Sequence, residues 1–461
     1  MKEDFGILKN IVCEVSPNLN SKEKEALYNY LNERSEELNG KTMTVIEFFK
    51  FLMDTKANTK LDEHGTISLS NDVMKEFLAD KSVLFPIPII IIDNKLIVNH
   101  DTAQIPYGSV ITDINGIPVA TILDNFLKEK TTYALRNLEV SFDILFLIKY
   151  GAPNSYAVRY TTPNSNVTET ILLEPLDIKT RENVYNNIVF PLHREQLKNL
   201  ISTAYFEDSN SFCITLNSFN WKEDVKNVYE IFDKQFSDIF KTIKKQKPKN
   251  LIIDLRYNRG GNILIPALFY SYITQKEFNE DIHLRVPDFD LPYKNYIEKI
   301  GDRALNKDQV DEFLNNFQKP FTKNNDYYEF NYVNNEIRKP KKNNYEGNVY
   351  LMIGGRNFSG ASYFTAIFKN YNRGRIIGEQ IGGSHHNITA GKQIEYVLPN
   401  TKIKVSLPIG VFTFSKDLET NVSEKKINPD VLVSEKIKYQ YFLKKEDWDL
   451  QEVFLLINKL N

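Results

Sequence analysis

Val349-Tyr-Leu-Met-Ile-Gly-Gly-Arg-Asn-Phe-Ser359-Gly-Ala-Ser-Tyr-Phe-Thr-Ala-Ile-Phe-Lys-Asn-Tyr371 is the stretch on which the fold turns. Val349 to Ile353 is a short apolar run of the kind that forms a fully buried strand. After two glycines the period changes. Phe364, Ile367, Phe368 and Tyr371 recur at i, i+3, i+4 and i+7, one face of an amphipathic helix. Ser359, followed by Gly360 and Ala361, falls at the junction. As a helix N-cap it needs no further role. The same turn also presents a hydroxyl at the mouth of a sheet beside the unbonded N–H groups of a first helical turn. That arrangement suits a nucleophile with an oxyanion hole.

The flanking sequence repeats the strand–helix pattern. Phe212 to Leu216 reads as a strand, and Trp221 to Ile243 as a helix with Val225, Val228, Phe232 and Phe236 on its apolar face. Leu251 to Leu255 is a buried strand that ends in Asp254-Leu-Arg-Tyr-Asn-Arg-Gly-Gly-Asn262, and Ile263 to Ile273 is helical. Past Ser359, Arg375-Ile-Ile-Gly-Glu379 is a strand with a glycine exit, and Gly382-Gly-Ser-His-His386 a loop. Ile403 to Leu407 and Val411 to Phe414 are strands, Ile427-Asn-Pro-Asp430 leads into a last one, and Trp448 to Leu460 is a closing helix. Strands that alternate with helices predict an α/β core, here 195–440, around a largely parallel sheet. A polar, aromatic-rich segment, 276–345, interrupts the alternation and reads as an insertion or lid.

Before this core the texture differs. Residues 1–80 are predicted as a helical domain: Ser21 to Lys24 opens one helix, and Thr44-Val-Ile-Glu47 is a capping box before Phe48, Phe49, Phe51 and Leu52. That domain ends in Asp62-Glu-His64-Gly-Thr66. Residues 81–180 read as a β-rich module. Asp93-Asn94 turns a hairpin between Ile89–Ile92 and Lys95–Val98, and Asn115-Gly116 makes a second tight turn. A helical piece near 119–128 and strands at Tyr156–Tyr160 and Thr168–Leu173 complete it.

Composition narrows the function classes. At 461 residues the chain exceeds one ordinary core, so two or three domains are expected. A formal charge of −2 supplies no global field for nucleic acid or an anionic membrane. No apolar run reaches the length of a membrane span. Two cysteines, Cys13 and Cys213, make neither a disulfide framework nor a zinc site. The opening Met1-Lys-Glu-Asp-Phe5 is too polar for a signal peptide, so the expected location is cytoplasmic, or exported after removal of a leader.

Several separated pieces together resemble the S41 peptidases, the C-terminal (tail-specific) processing proteases, the tricorn core protease and their bacterial relatives. Phe212 to Phe219 is similar to the family's first core strand. Leu251-Ile-Ile-Asp-Leu-Arg256 with Asn258-Arg-Gly-Gly261 is similar to its Asp-Leu-Arg-x-Asn-x-Gly-Gly signature. Asn357-Phe-Ser359-Gly-Ala matches the nucleophile turn, Arg375 to Gly383 the segment after it, and Asn428-Pro-Asp430 the closing motif. Gly108 to Gly116 resembles part of the PDZ-like domain that precedes the core. The resemblance implies an α/β, multidomain S41/ClpP-crotonase-like core of stacked sheets and helices. It also implies a serine endopeptidase acting on peptides or unfolded proteins, with no metal or organic cofactor. The partners expected are that substrate and, at most, further copies of the same chain.

It implies site residues as well. Ser359 is the nucleophile, and the N–H of Gly360 pairs with that of Gly260 or Gly261 as the oxyanion hole. Asp254 and Arg256 hold the turn. The processing proteases use a Ser–Lys dyad, but in that register this chain has Ser384, and Lys392 is out of step. The tricorn-like branch takes a histidine from before the PDZ-like domain, and Asp62-Glu-His64-Gly-Thr66 resembles that motif. The expected base is therefore His64, since imidazole titrates near neutrality; His385 and His386 are the alternatives. For the third member the expectation is Glu419, with Glu424 or Glu63 in reserve. Ser362 stands where the family often has Glu. The PDZ-like piece shows no carboxylate-binding glycine loop and reads as a cover rather than a reader of C-termini. The competing class is an S41-fold protein that binds peptides or ligands without hydrolysing them. An α/β-hydrolase is disfavoured because the serine turn lacks Gly-x-Ser-x-Gly.

Overall fold

The apolar runs of the sequence become two sheets in one part of the molecule and an antiparallel sheet in another. The computed structural model describes residues 1–461 except 58–63, 80, 82, 102–103, 164, 166, 191–197, 222–226, 385–386, 415–425 and 461. The chain divides into two units. One comprises Met1–Ala79, Glu280–Glu336 and His386–Ser415, and the other Asp80–Asn279, Ile337–His385 and Lys416–Asn461. The fold is of mixed α/β class, as the alternation of strands and helices predicts.

In the first unit the helices Lys2–Val15, Ser21–Glu36 and Val45–Ala57 come first. Phe5, Leu8, Ile11 and Val12 recur at helical spacing and are buried. Thr44 and Glu47 exchange the two capping-box hydrogen bonds expected of them. The sheet of this unit pairs Ile297–Ile300 with Asn387–Val397, that strand with Lys404–Phe414, and the latter with Phe278–Val286, all antiparallel. Asp4, fully buried, accepts from the backbone N–H and hydroxyl of Thr401 at 2.7 and 2.6 Å, tying the first helix to the turn beside this sheet. Of the segment expected as an insertion or lid, Glu280–Glu336 belongs to this unit.

The second unit carries the β-rich module and the core. In the module, β1 (Ile89–Ile92), β2 (Lys95–Val98), β3 (Val110–Ile114), β4 (Tyr156–Thr161) and β5 (Thr168–Leu173) form an antiparallel sheet in chain order. Both predicted turns carry left-handed residues, Asp93 and Asn94 at φ 55° and Asn115 at φ 54°. The helix α1 (Thr132–Tyr150) covers the sheet with Leu138, Phe142 and Phe146. It was not legible in the sequence, because Ile144 to Ile148 form a continuous apolar run that fits a strand as well as a buried helix. β1 is an edge strand whose exposed bonds are taken: the Ile91 N–H donates to Glu139 Oε1 at 2.6 Å, and its carbonyl accepts from Arg136 at 3.1 Å.

The core sheet runs in the order β10-β9-β8-β7-β6. β6 (Ile201–Phe206) is antiparallel to β7 (Ser211–Leu216), which is parallel to β8 (Asn250–Asp254). β8 is parallel to β9 (Asn348–Ile353), and β9 to β10 (Arg375–Gly378). Crossover helices α2 (Val228–Gln246), α3 (Ile265–Ser271) and α4 (Gly360–Asn370) connect them, and α5 (Glu435–Leu443) and α6 (Trp448–Leu460) end the chain. Strands of a parallel sheet are buried on both faces, which is why β7 and β8 read as unbroken apolar runs. One face packs Cys213, Ile252, Tyr350 and Ile377 against Leu450, Val453 and Ile457 of α6. Burial pushes the Cys213 thiol up to about 12, which suits an inert core residue. Among the described residues no helix is long and apolar enough to cross a membrane.

Candidate active site

The carboxyl ends of β8 and β9 release two loops, and two buried asparagines fasten them together. Asn258 and Asn357 are both fully buried. The Asn258 side chain donates to Leu216 O at 2.9 Å and accepts from the Gly260 N–H at 2.8 Å. The Asn357 side chain donates to Leu255 O and, at 3.2 Å, to Asn258 O, and accepts from the Gly354 N–H at 2.7 Å. The Asn357 carbonyl takes the N–H groups of Gly382 and Gly383, each at 3.0 Å. Each amide thus does what a strand ladder no longer can beyond the sheet edge: it satisfies loop backbone that is buried.

This clamp places the serine and glycines in one spot. A β-carbon on Gly260 (φ 96°) would stand 2.7 Å from both the Gly360 nitrogen and the Ser359 β-carbon. One on Gly261 (φ 140°) would meet the backbone of Phe219 and Asn220 at 2.5 Å. Only glycine fits either position. Ser359, Gly360, Gly260 and Gly261 are therefore brought together. The Gly260 N–H is spent on Asn258. Among the described residues no hydrogen bond uses the N–H of Gly261 or of Gly360, which opens α4.

Ser359 stands at the N-cap of α4, but its side chain makes no capping hydrogen bond. Its backbone is at φ 51°, ψ −126°, a region that a residue with a β-carbon occupies only when surroundings force it, at about 1–3 kcal/mol. A capping serine takes an extended conformation and bonds the helix; this one does neither. Behind it, Phe358 stacks on Tyr133 of α1, with ring centroids 5.3 Å apart. Ser362 Oγ is buried without a hydrogen-bond partner among the described residues.

The strand ends also border a cavity of about 270 Å³, whose walls include Arg136, Glu139, Phe190, Tyr257, Gly355 and Arg356. Two ion clusters stiffen it. Arg256 forks onto Asp254 and Asp447, at 2.6 to 3.0 Å, and reaches Asp449 at 3.2 Å. Burial opposes the charge, yet Asp254 and Asp447 hold this guanidinium well above its usual value. Arg256 and Asp254 thus hold the turn, as expected. In the other cluster Glu379 accepts from Arg136 at 2.8 and 3.0 Å and from Lys438 at 2.9 Å. Burial works to raise the Glu379 carboxyl, but Arg136 and Lys438 win and hold it far below the carboxylate range. The Asp449 carboxyl is pushed up to about 7 by burial, against the pull of Arg256.

His64 lies in the first unit, in the turn before the strand Thr66–Ser68, with Nδ1 3.0 Å from Thr389 Oγ1. No sequence signal marks Thr389, 325 residues away. Glu63, His385, His386, Glu419 and Glu424 lie outside the described residues. Lys392 is on the strand Asn387–Val397 of the first unit. Arg356 and Arg259 beside the clamp were passed over in the sequence because Arg259 fills a variable position of the Asn-x-Gly-Gly turn and Arg356 precedes the nucleophile turn without being part of it.

Compared with known proteins, the sequence model of peptidase family S41 matches residues 212–433. No curated protein matches the sequence. Among solved structures, mature CPAF complexed with lactacystin is similar at a TM-score of 0.64 and 14% identity, over 100% of this chain and 98% of that one. A serine-to-alanine mutant of CPAF gives 0.66 and 14%, over 100% and 97%. The photosystem II D1 C-terminal processing protease gives 0.43 and 12%, over 99% and 97%. At such identities the likeness to CPAF is one of fold.

Proposed function

Through residues 212–433 this chain belongs to peptidase family S41, and on that premise we propose that it hydrolyses peptide bonds of peptides or unfolded proteins through an acyl-enzyme on Ser359. The observation that carries the reading is the strained, uncapped Ser359 beside two N–H groups that no hydrogen bond uses among the described residues. In the proposed mechanism His64 takes the proton of Ser359 as the hydroxyl attacks the scissile carbonyl. The oxyanion is received by the N–H groups of Gly360 and Gly261, the Gly260 N–H being engaged by Asn258. The imidazolium then protonates the leaving amine, and water releases the acyl group. Thr389, at Nδ1 of His64, is proposed to orient the ring. Glu419 is proposed, on resemblance alone, as the carboxylate that supports the imidazolium.

Labelling with a fluorophosphonate probe, together with casein hydrolysis, tests this reading. Wild type is expected to label and hydrolyse, Ser359→Ala to do neither, and His64→Ala to lose casein hydrolysis. Lactacystin, with which mature CPAF was complexed, is a second probe for Ser359. Equal labelling of Ser359→Ala would remove the serine from its role. No labelling of wild type, with peptide binding kept, would leave an S41-fold binding protein.

A further inference from the structure

Among the described residues, the buried and half-buried arginines and the buried lysine of the second unit are matched, with the half-buried Arg356 the exception. Arg136 has Glu139 and Glu379, Arg181 has Asp143, Arg256 has Asp254 and Asp447, and Lys438 has Glu379 and Glu435. Arg373 has no carboxylate but donates to the carbonyls of Ile273, Tyr345 and Gly347. Arg356, three residues before Ser359 on the same loop, has neither. Its Nε is buried with no hydrogen-bond partner, and among the described residues no carboxylate lies within ion-pair distance. A buried guanidinium is ordinarily paired, because desolvating it alone is costly. Such an exception calls for a ligand or a function.

A second unpaired arginine stands next to it. Asn357 Nδ2 donates to Asn258 O; Arg356 precedes the donor residue and Arg259 follows the acceptor. The two side chains therefore issue from either side of the bond that clamps the catalytic turns. Burial, and then the charge of Arg259, hold the Arg356 guanidinium below its usual value, as expected of like charges kept close. Arg259 is exposed, with no ion pair among the described residues. Gly260, the next residue, touches Ser359. Arg356 also lines the 270 Å³ cavity. Neither guanidinium is in an ion pair among the described residues, although Glu139 shares the cavity with Arg356. Two such groups on the clamped turns beside a nucleophile suit the planar, bidentate geometry of a carboxylate.

Resting on the peptidase reading, we propose that Arg356 and Arg259 form a subsite that takes a substrate carboxylate next to the scissile bond. The carboxylate comes from an acidic side chain or from a free C-terminus. The subsite gives the enzyme a preference for substrates that bear that charge and partly neutralises a pair otherwise left in mutual repulsion.

The test uses three matched pools of short peptides, randomised over neutral residues: neutral and C-terminally amidated, amidated with one glutamate, and neutral with a free C-terminal carboxylate. Hydrolysis by wild type is read as amine release, and binding to Ser359→Ala as fluorescence anisotropy of the labelled pools. One carboxylate pool is expected to exceed the neutral amidated pool by about tenfold or more in both readouts. Preference for the glutamate pool identifies an acidic side chain, and preference for the free-acid pool identifies the C-terminus. Arg356→Gln and Arg259→Gln are expected each to collapse the ratio, and Arg356→Lys to restore part of it. The exposed Arg259 site keeps the test open if Arg356→Gln does not fold. Equal treatment of all three pools, or a preference that survives both substitutions, overturns the subsite. Binding of a carboxylate pool to Ser359→Ala without hydrolysis by wild type keeps the subsite and overturns the peptidase reading. If Ser359→Ala binds none of the pools, both fall.

Discussion

The two sides of the strand ends treat polar groups in opposite ways. On one side Arg256 and Glu379 are saturated: the Arg256 fork and both oxygens of Asp254, Asp447 and Glu379 have partners, while Asp449 Oδ1 has none among the described residues. On the other side lie the Ser359 hydroxyl and the N–H groups of Gly261 and Gly360, without partners among the described residues. Arg356, whose Nε is likewise without one, lines the cavity that Arg256 and Glu379 share. The two are interleaved in sequence: Arg256 precedes Gly260 and Gly261 on one loop, and Glu379 follows Ser359 on the next strand exit. The difference teaches where stability is made and where it is given up: a site ready for a substrate keeps its donors unused, and neighbouring clusters must hold it rigid. Substitutions on the saturated side should therefore change stability, and those on the open side activity.

The largest effect is expected from Arg256→Met, which strands Asp254 and Asp447 in a buried site. Chemical denaturation should show a loss of about 3–5 kcal/mol. A loss below about 1 kcal/mol would mean that the cluster is not the support described. On the open side, Gly260→Ala drives a β-carbon against the Gly360 nitrogen and should lower kcat by about a hundredfold, with a smaller change in KM. An unchanged kcat would separate Gly260 from the catalytic turn.

Asp449 lets the saturated side be probed by pH. In the folded protein it keeps its proton up to about 7, whereas in the unfolded chain it loses it near about 3.9. The folded state therefore binds more protons across this window, so stability falls as pH rises from about 4 to 7 and the full penalty stands above. Asp449→Asn removes the penalty. It should stabilise the protein at pH 8 by about 1–3 kcal/mol, with the gain fading toward pH 4. A gain independent of pH would sever it from this carboxyl. The smallest effect is a stabilisation: Ser359→Gly releases the strained φ and should raise stability by about 1 kcal/mol while abolishing hydrolysis. A stability loss in this variant would show that the serine is a structural residue.

The strand–turn–helix around Ser359 was readable because each part depends on near neighbours. Val349 to Ile353 is an unbroken apolar run, and Phe364, Ile367 and Phe368 keep helical spacing. The left-handed turns at Asp93-Asn94 and Asn115-Gly116 and the Thr44–Glu47 cap were legible for the same reason. The strand Asn387–Val397 was not, since its residues alternate only weakly and its pairing with Lys404–Phe414 defines it. The serine itself allowed two readings. A cap and a nucleophile share one sequence context, and only the backbone angles and the missing capping bond distinguish them.

By itself, then, the sequence determined β7 to β10 with the helices between them, their order, and the turn that presents Ser359. These follow from periodicity and turn chemistry within a few residues. β6 was not determined, and the strand expected after Asp430 is a single bridge between Val431 and Ile377. Tertiary structure alone decided which groups are matched and which stay open. Asn357 reaches a carbonyl 99 residues away, Arg256 finds Asp447 at a separation of 191, and His64 meets Thr389 across 325. Such partners are chosen by burial, where an unsatisfied polar group is costly, and no local pattern records the choice.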